Sequence, residues 1–116
     1  LAASQNPSQQ RLQGIAASPG IAEGRVKILR NLEEIGNINE TTILVVPYTD
    51  SGWSPVLASA GGLIAEVGGR LSHGAIVARE YGIPAIMDVH NATNLLQNNQ
   101  RVRIDGQAGI VEILTD

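Results

Sequence analysis

Charged and apolar residues alternate through Arg25-Val26-Lys27-Ile28-Leu29, which predicts a strand with one buried face. Thr42-Ile43-Leu44-Val45-Val46 does not alternate. It is continuous, rich in β-branched residues and stopped by Pro47, the pattern of a strand covered on both faces. Leu63-Ile64-Ala65-Glu66-Val67 and Ala85-Ile86-Met87 read as further short strands, and Val102–Ile104 and Ile110–Leu114 as a hairpin across Asp105-Gly106-Gln107-Ala108-Gly109. Between them the pattern turns helical. Ser54 or Asp50 opens a short helix through Pro55-Val56-Leu57-Ala58 that Gly61-Gly62 would end. Ser72 caps a second helix running to about Tyr81, with Gly82 and Pro84 closing it, and Asn91 or Asn94 starts a small one through Leu95-Leu96. Gly14 to Gly24 holds a Ser18-Pro19-Gly20 turn, and Leu32 to Glu40 reads as polar surface. Strands interleaved with helices predict a mixed α/β fold.

Ala3 to Gln10 has no apolar period, so residues 1–13 are expected to be a polar linker and residues 14–116 a single domain. The start at Leu1 rather than Met leads us to expect a piece of a longer protein. The 116 residues suffice for one core, but aromatics are 3% and there is no Phe, so packing must rest on Ile, Leu, Val and Ala. A formal charge of -3 with no Lys or Arg run argues against a nucleic-acid partner or an anionic membrane surface. No apolar run approaches the ~18 residues of a membrane span, and no secretory signal opens the chain. The absence of Cys removes disulfides, thiolate metal sites and a cysteine nucleophile, and favours the cytoplasm. The triplets Asn39-Glu40-Thr41 and Asn91-Ala92-Thr93 fit a glycosylation acceptor but read as ordinary loops.

Chemistry concentrates in GGRLSHGAIVAREYGIPA, Gly68 to Ala85. A buried strand ends in two glycines, the backbone turns, and His73 enters the first turn of a helix beside Ser72. Free N–H groups at a helix start and in a glycine turn hold phosphate oxygens without a metal, so Gly69, Ser72 and Gly74 are candidate N–H donors that cradle a phosphate. Gly74 would also keep the approach to the ring open. A neutral imidazole attacks phosphorus directly, and the phosphoramidate formed passes its group onward. Arg70 either reaches an incoming phosphate or is a solvated loop residue.

Gly68 to Arg79 resembles the phosphohistidine signature shared by phosphoenolpyruvate synthase, pyruvate phosphate dikinase, enzyme I of the sugar phosphotransferase system and rifamycin phosphotransferase. Gly14, Ser18, Pro19, Gly20 and Gly24 resemble the family's opening region, Asp50, Trp53 and Pro55 match synthase-like members, and Val102 to Leu114 resembles the closing hairpin. The resemblance implies a three-layer β/β/α swivelling phosphohistidine domain. His73 would be phosphorylated at one site and dephosphorylated at another: an ATP-grasp nucleotide domain and a phosphoenolpyruvate/pyruvate-binding (β/α)8 barrel or other acceptor domain of the same chain. A tethered carrier has a high effective concentration at both. ATP and magnesium would then sit on those partner domains, with no cofactor or metal bound here. Leu71 stands where dikinases and enzyme I usually carry a Thr that dikinase regulatory kinases modify, so the chain looks closest to synthase-like and rifamycin-phosphotransferase-like members.

Arg79 matches an arginine of the signature, but six residues along a helix is about 600 degrees, so it cannot share the face of His73 and reads as structural or docking. His90 has no second ligand at metal spacing and reads as a loop residue. Glu66 and Glu80 read as solvated or ion-paired carboxylates rather than an acid–base pair, and Trp53 as packing or docking. The competing function is a stand-alone phosphocarrier or non-catalytic interaction module with the same fold.

Overall fold

The computed structural model describes residues 11–34 and 36–114, so most of the expected linker lies outside the described residues. Eight strands, β1 (Arg11–Gln13), β2 (Ile15–Ser18), β3 (Ile21–Ile28), β4 (Thr42–Val46), β5 (Gly62–Ala65), β6 (Ala85–Met87), β7 (Arg101–Asp105) and β8 (Ile110–Ile113), form one sheet in the order β1-β8-β7-β3-β4-β5-β6-β2. The helices are α1 (Ser54–Ser59), α2 (His73–Tyr81) and α3 (Ala92–Leu95). Strands β3 to β6 run parallel, with β4 and β5 each followed by a crossover helix. The remaining pairings are antiparallel.

The side-chain alternation of β4 sorts the core. Leu44 and Val46 join a cluster beneath α1 and α2 with Leu63, Ala75, Ala78 and Met87, while Ile43 and Val45 join Ile64, Ile86, Val102, Ile104 and Val111. The second cluster joins Val111 and Ile113 of β8 to Ile86 of β6, strands far apart in the order, so the sheet curls over and encloses it. Helices, parallel strands and the β7-β8-β1 flap therefore make three layers, α/β/β, as the family resemblance implies.

The curl depends on Gly14. Strands β1 and β2 are neighbours in the chain but lie at opposite ends of the strand order, and the backbone bends between them where Gly14 N donates to the Gly109 carbonyl at 2.9 Å. A Cβ at Gly14 would meet the Met87 carbonyl and come within 2.7 Å of Val89 Cγ2, so no other residue fits that bend. Arg11–Gln13, which the sequence places in the linker, is instead a strand in register with Glu112, Val111 and Ile110. One apolar residue, Leu12, gives no readable period, and the partners come from the other end of the chain. For the same reason the paired strand β2 hides in a stretch that reads as a turn region.

On the flap Glu112 accepts hydrogen bonds from Arg103 Nη2 at 2.6 Å and Nε at 3.2 Å and faces Arg11 Nη2 at 3.6 Å. The Arg103 hydrogen bond holds the Glu112 carboxyl below its ordinary range and the guanidinium above its own. Both arginines are exposed and Glu112 is half-buried, so solvent screens the pairs and they set register more than stability. Among the described residues no helix is long and apolar enough to cross a membrane.

Candidate functional site

Parallel strands deliver their following loops to one end of the sheet, and the loops after β4 and β5 lie side by side there. Glu66 N donates to the Val46 carbonyl at 3.0 Å and Val67 N to the Pro47 carbonyl at 3.2 Å. The loop after β4 is stiff. Asp50 Oδ1 accepts from Gly52 N at 3.1 Å, Trp53 N donates to the Asp50 carbonyl at 2.9 Å, and the Trp53 side chain is buried in the helix-side cluster. Trp53 is thus a packing residue, and Thr49 and Ser54 are fixed on either side of its turn.

His73 is the first residue of α2 and is half-buried. Its ring lies between two hydroxyls, with Nδ1 3.2 Å from Thr49 Oγ1 and Nε2 3.3 Å from Ser54 Oγ. Thr49 Oγ1 lies against Gly74, and Thr49 and Ser54 are both half-buried. If Nδ1 donates its proton to Thr49, Nε2 keeps its lone pair and accepts from Ser54.

Ser72 occupies the N-cap position but does not cap. Its hydroxyl donates to the Gly69 carbonyl at 2.6 Å and its amide to the same oxygen at 3.1 Å, so the capping expected from the sequence is replaced by a bond back to the glycine turn. The first helical bond is Ile76 N to the Ser72 carbonyl at 3.1 Å, which leaves the amides of His73, Gly74 and Ala75 ahead of any intrahelical acceptor and uncovered by the cap side chain. Gly69 takes part through its carbonyl, and an alanine there would meet nothing within 4 Å.

Gly74 is small for a different reason from the one the sequence suggests. It is buried, and a Cβ would lie 2.6 Å from Thr49 Oγ1 and 2.9 Å from Met87 Cε, so its smallness makes room for the partner of His73 rather than for an incoming donor. Gly74→Ala is expected to rotate the Thr49 hydroxyl off the ring and to destabilise the chain by about 1 kcal/mol, the helix-propensity gain offsetting part of the overpacking. Thermal unfolding and imidazole 15N NMR read the two effects separately.

The exposed Arg70 side chain runs to β2, where Nε donates to the Ala16 carbonyl at 3.2 Å. Arg79 clamps the same region: Nη1 donates to the Ala17 carbonyl at 2.6 Å and Nη2 to the Arg70 carbonyl at 2.8 Å, fastening the loop before His73 to β2. Glu66 and Glu80 do not meet. Glu66 accepts from Thr93 N at 2.8 Å and Thr93 Oγ1 at 2.6 Å, tying α3 to the end of β5, while Glu80 is exposed on α2. His90 is exposed beside Asp88, with Nε2 to Oδ1 at 3.1 Å. Asn39 accepts from Thr41 in a turn, and Asn91 precedes α3.

Thr49 and Ser54 are the site residues that sequence reasoning misses. Ser54 reads as a helix start, and nothing marks Thr49, since both depend on α2 packing beside the β4 loop. The usable signal was the flanking Asp50, Trp53 and Pro55, which resemble family positions.

The sequence profile described as "PEP-utilising enzyme, mobile domain" matches residues 38–109. The chain is 43% identical over 110 residues to rifampicin phosphotransferase of Bacillus cereus, covering 95% of this chain and 13% of that protein. It is 45% identical over 100 residues to a probable phosphoenolpyruvate synthase of Methanothermobacter thermautotrophicus, covering 86% of this chain and 15% of that protein. Among solved structures it is similar to Enzyme I studied by NMR, with a TM-score of 0.58 and 28% identity over 74% of this chain and 34% of that one. Because the matched segment carries the strand that delivers Thr49, the helix that opens on His73 and most of the closing hairpin, the chain belongs to the mobile-domain family of the PEP-utilising enzymes.

Proposed function

We propose that this chain is the phosphoryl-carrier domain of a larger phosphotransferase and that His73 carries the group. The supporting observation is the placement of its ring: Nδ1 beside Thr49 and Nε2 beside Ser54, at the start of a nine-residue helix whose first amides no cap side chain covers. The Nε2 lone pair forms the N–P bond as the bond from phosphorus to the donor oxygen breaks, and the electron pair leaves on that oxygen. The Nδ1 proton stays on the ring, donated to Thr49. First-turn amides and the helix dipole then stabilise the phosphoryl oxygens. Of the residues the sequence nominates as a cradle, Gly74 offers its amide, and Gly69 and Ser72 hold the turn through their mutual bonds. Arg70 reaches the phosphoryl group only if it leaves Ala16.

His73 exchanges the group between an ATP-grasp nucleotide domain and a domain that binds phosphoenolpyruvate, pyruvate or another acceptor. ATP and magnesium bind to those partner domains, and the whole protein works in the cytoplasm. The relatives, several times longer than this chain, fit a carrier among catalytic neighbours. The test is to incubate the full-length protein with phosphoenolpyruvate labelled in its phosphoryl group and magnesium. Label that is acid-labile, alkali-stable and confined to the peptide containing His73 is the expected result, and an unlabelled protein under conditions that label a relative counts against it.

Ser54 must move aside for phosphorus and then donates to a phosphoryl oxygen. Ser54→Ala is expected to slow phosphorylation of His73 about tenfold, the kinetic equivalent of one hydrogen bond of ~1.4 kcal/mol, with the melting temperature unchanged. Rapid-quench labelling of the full-length variant measures it.

A further inference from the structure

Several large apolar side chains stand exposed, and four of them lie on the segments that carry His73 and Thr49: Tyr48 at 54%, Val67 at 67%, Leu71 at 86% and Ile76 at 43%. Their placement follows from bonds already described. Tyr48 precedes Thr49, Val67 N bonds the Pro47 carbonyl, Leu71 lies two residues before His73, and Ile76 lies one turn after it on α2. Ile21 and Leu95 lie on other elements, and Tyr81 ends α2. A single exposed Leu needs no explanation, but four exposed apolar residues on the segments that flank the one group read as reactive do.

We propose that Tyr48, Val67, Leu71 and Ile76 form a docking rim that seats against the phosphoryl-donating domain of the same polypeptide; the proposal rests on the carrier reading. The occupant follows from length and chemistry. This chain makes up 13% and 15% of the relatives it matches, so most of such a polypeptide lies beyond it, and the family is that of a mobile domain, which must present one face to its neighbours. Phosphoryl transfer to nitrogen competes with transfer to water, and apolar residues closing on a donor domain exclude water from the polar centre they flank. Leu71, the most exposed of the four, is the anchor.

The test uses the full-length protein with two donors. Its own nucleotide or phosphoenolpyruvate labels His73 only through the docked domain, whereas phosphoramidate labels histidine directly from solution. Leu71→Asp is expected to slow labelling from the native donor by about 30-fold or more, as at an interface hot spot, while phosphoramidate labelling stays within about twofold of the wild type and Leu71→Met restores the native rate. Native-donor labelling of Leu71→Asp at the wild-type rate overturns the rim, as does loss of both labelling reactions, which would place Leu71 in the site itself. A wild-type protein that neither donor labels at His73 overturns the carrier reading, and the rim with it.

Discussion

Full-length protein carrying His73→Ala is expected to lose phosphoryl transfer by a factor on the order of 10^4 or more, because no second group can accept phosphorus at that position. Thr49 and Ser54 are the hydroxyls bonded to the ring, and with the imidazole gone neither keeps a base beside it to take its proton. His90 cannot substitute: it stands after β6, paired with Asp88. His73 is half-buried and is not among the buried residues of the core, so the loss should come without unfolding, with a change in stability within about 1 kcal/mol. Steady-state turnover and a melting curve on the same preparation separate the two. Residual turnover above a few per cent would mean that the group travels by another residue.

The largest expected change in stability comes from the layer that carries no chemistry. Ile64 is fully buried on β5 and packs within the cluster enclosed by the curled sheet. Ile64→Ala should cost about 2–5 kcal/mol, the transfer free energy of the lost methylenes plus the cavity left in a layer that backbone pairing on both sides of β5 keeps from collapsing. For a domain of this size that lowers the melting temperature by roughly 10–20 °C. A fall of only a degree or two would show that the flap can close over the void, and that the enclosed cluster is looser than its burial implies.

Local patterning carried much of this structure. β4 reads directly from its continuous apolar run, α2 from the glycine turn before it and Gly82 after it, and β6 from Ala85-Ile86-Met87. His73 is legible because its position depends only on a helix start a few residues away. What stays hidden depends on distant pairing. β1 pairs with a strand about a hundred residues on, and Gly14 matters only because Met87 and Val89 pass beside it. Thr49 joins the site across 24 residues and Ser54 across 19, so no local motif announces them. The motif marks Gly74 and Ser72, but the structure gives them other roles: one accommodates Thr49, and the other bonds Gly69 instead of capping α2.

The most direct measurement is 31P–15N correlation NMR on full-length protein labelled with 15N-histidine and phosphorylated by its native donor. A phosphoramidate resonance coupled to Nε2 of His73, absent in His73→Ala, is the expected result. A phosphorus signal on Nδ1, on His90 or on an oxygen would contradict it.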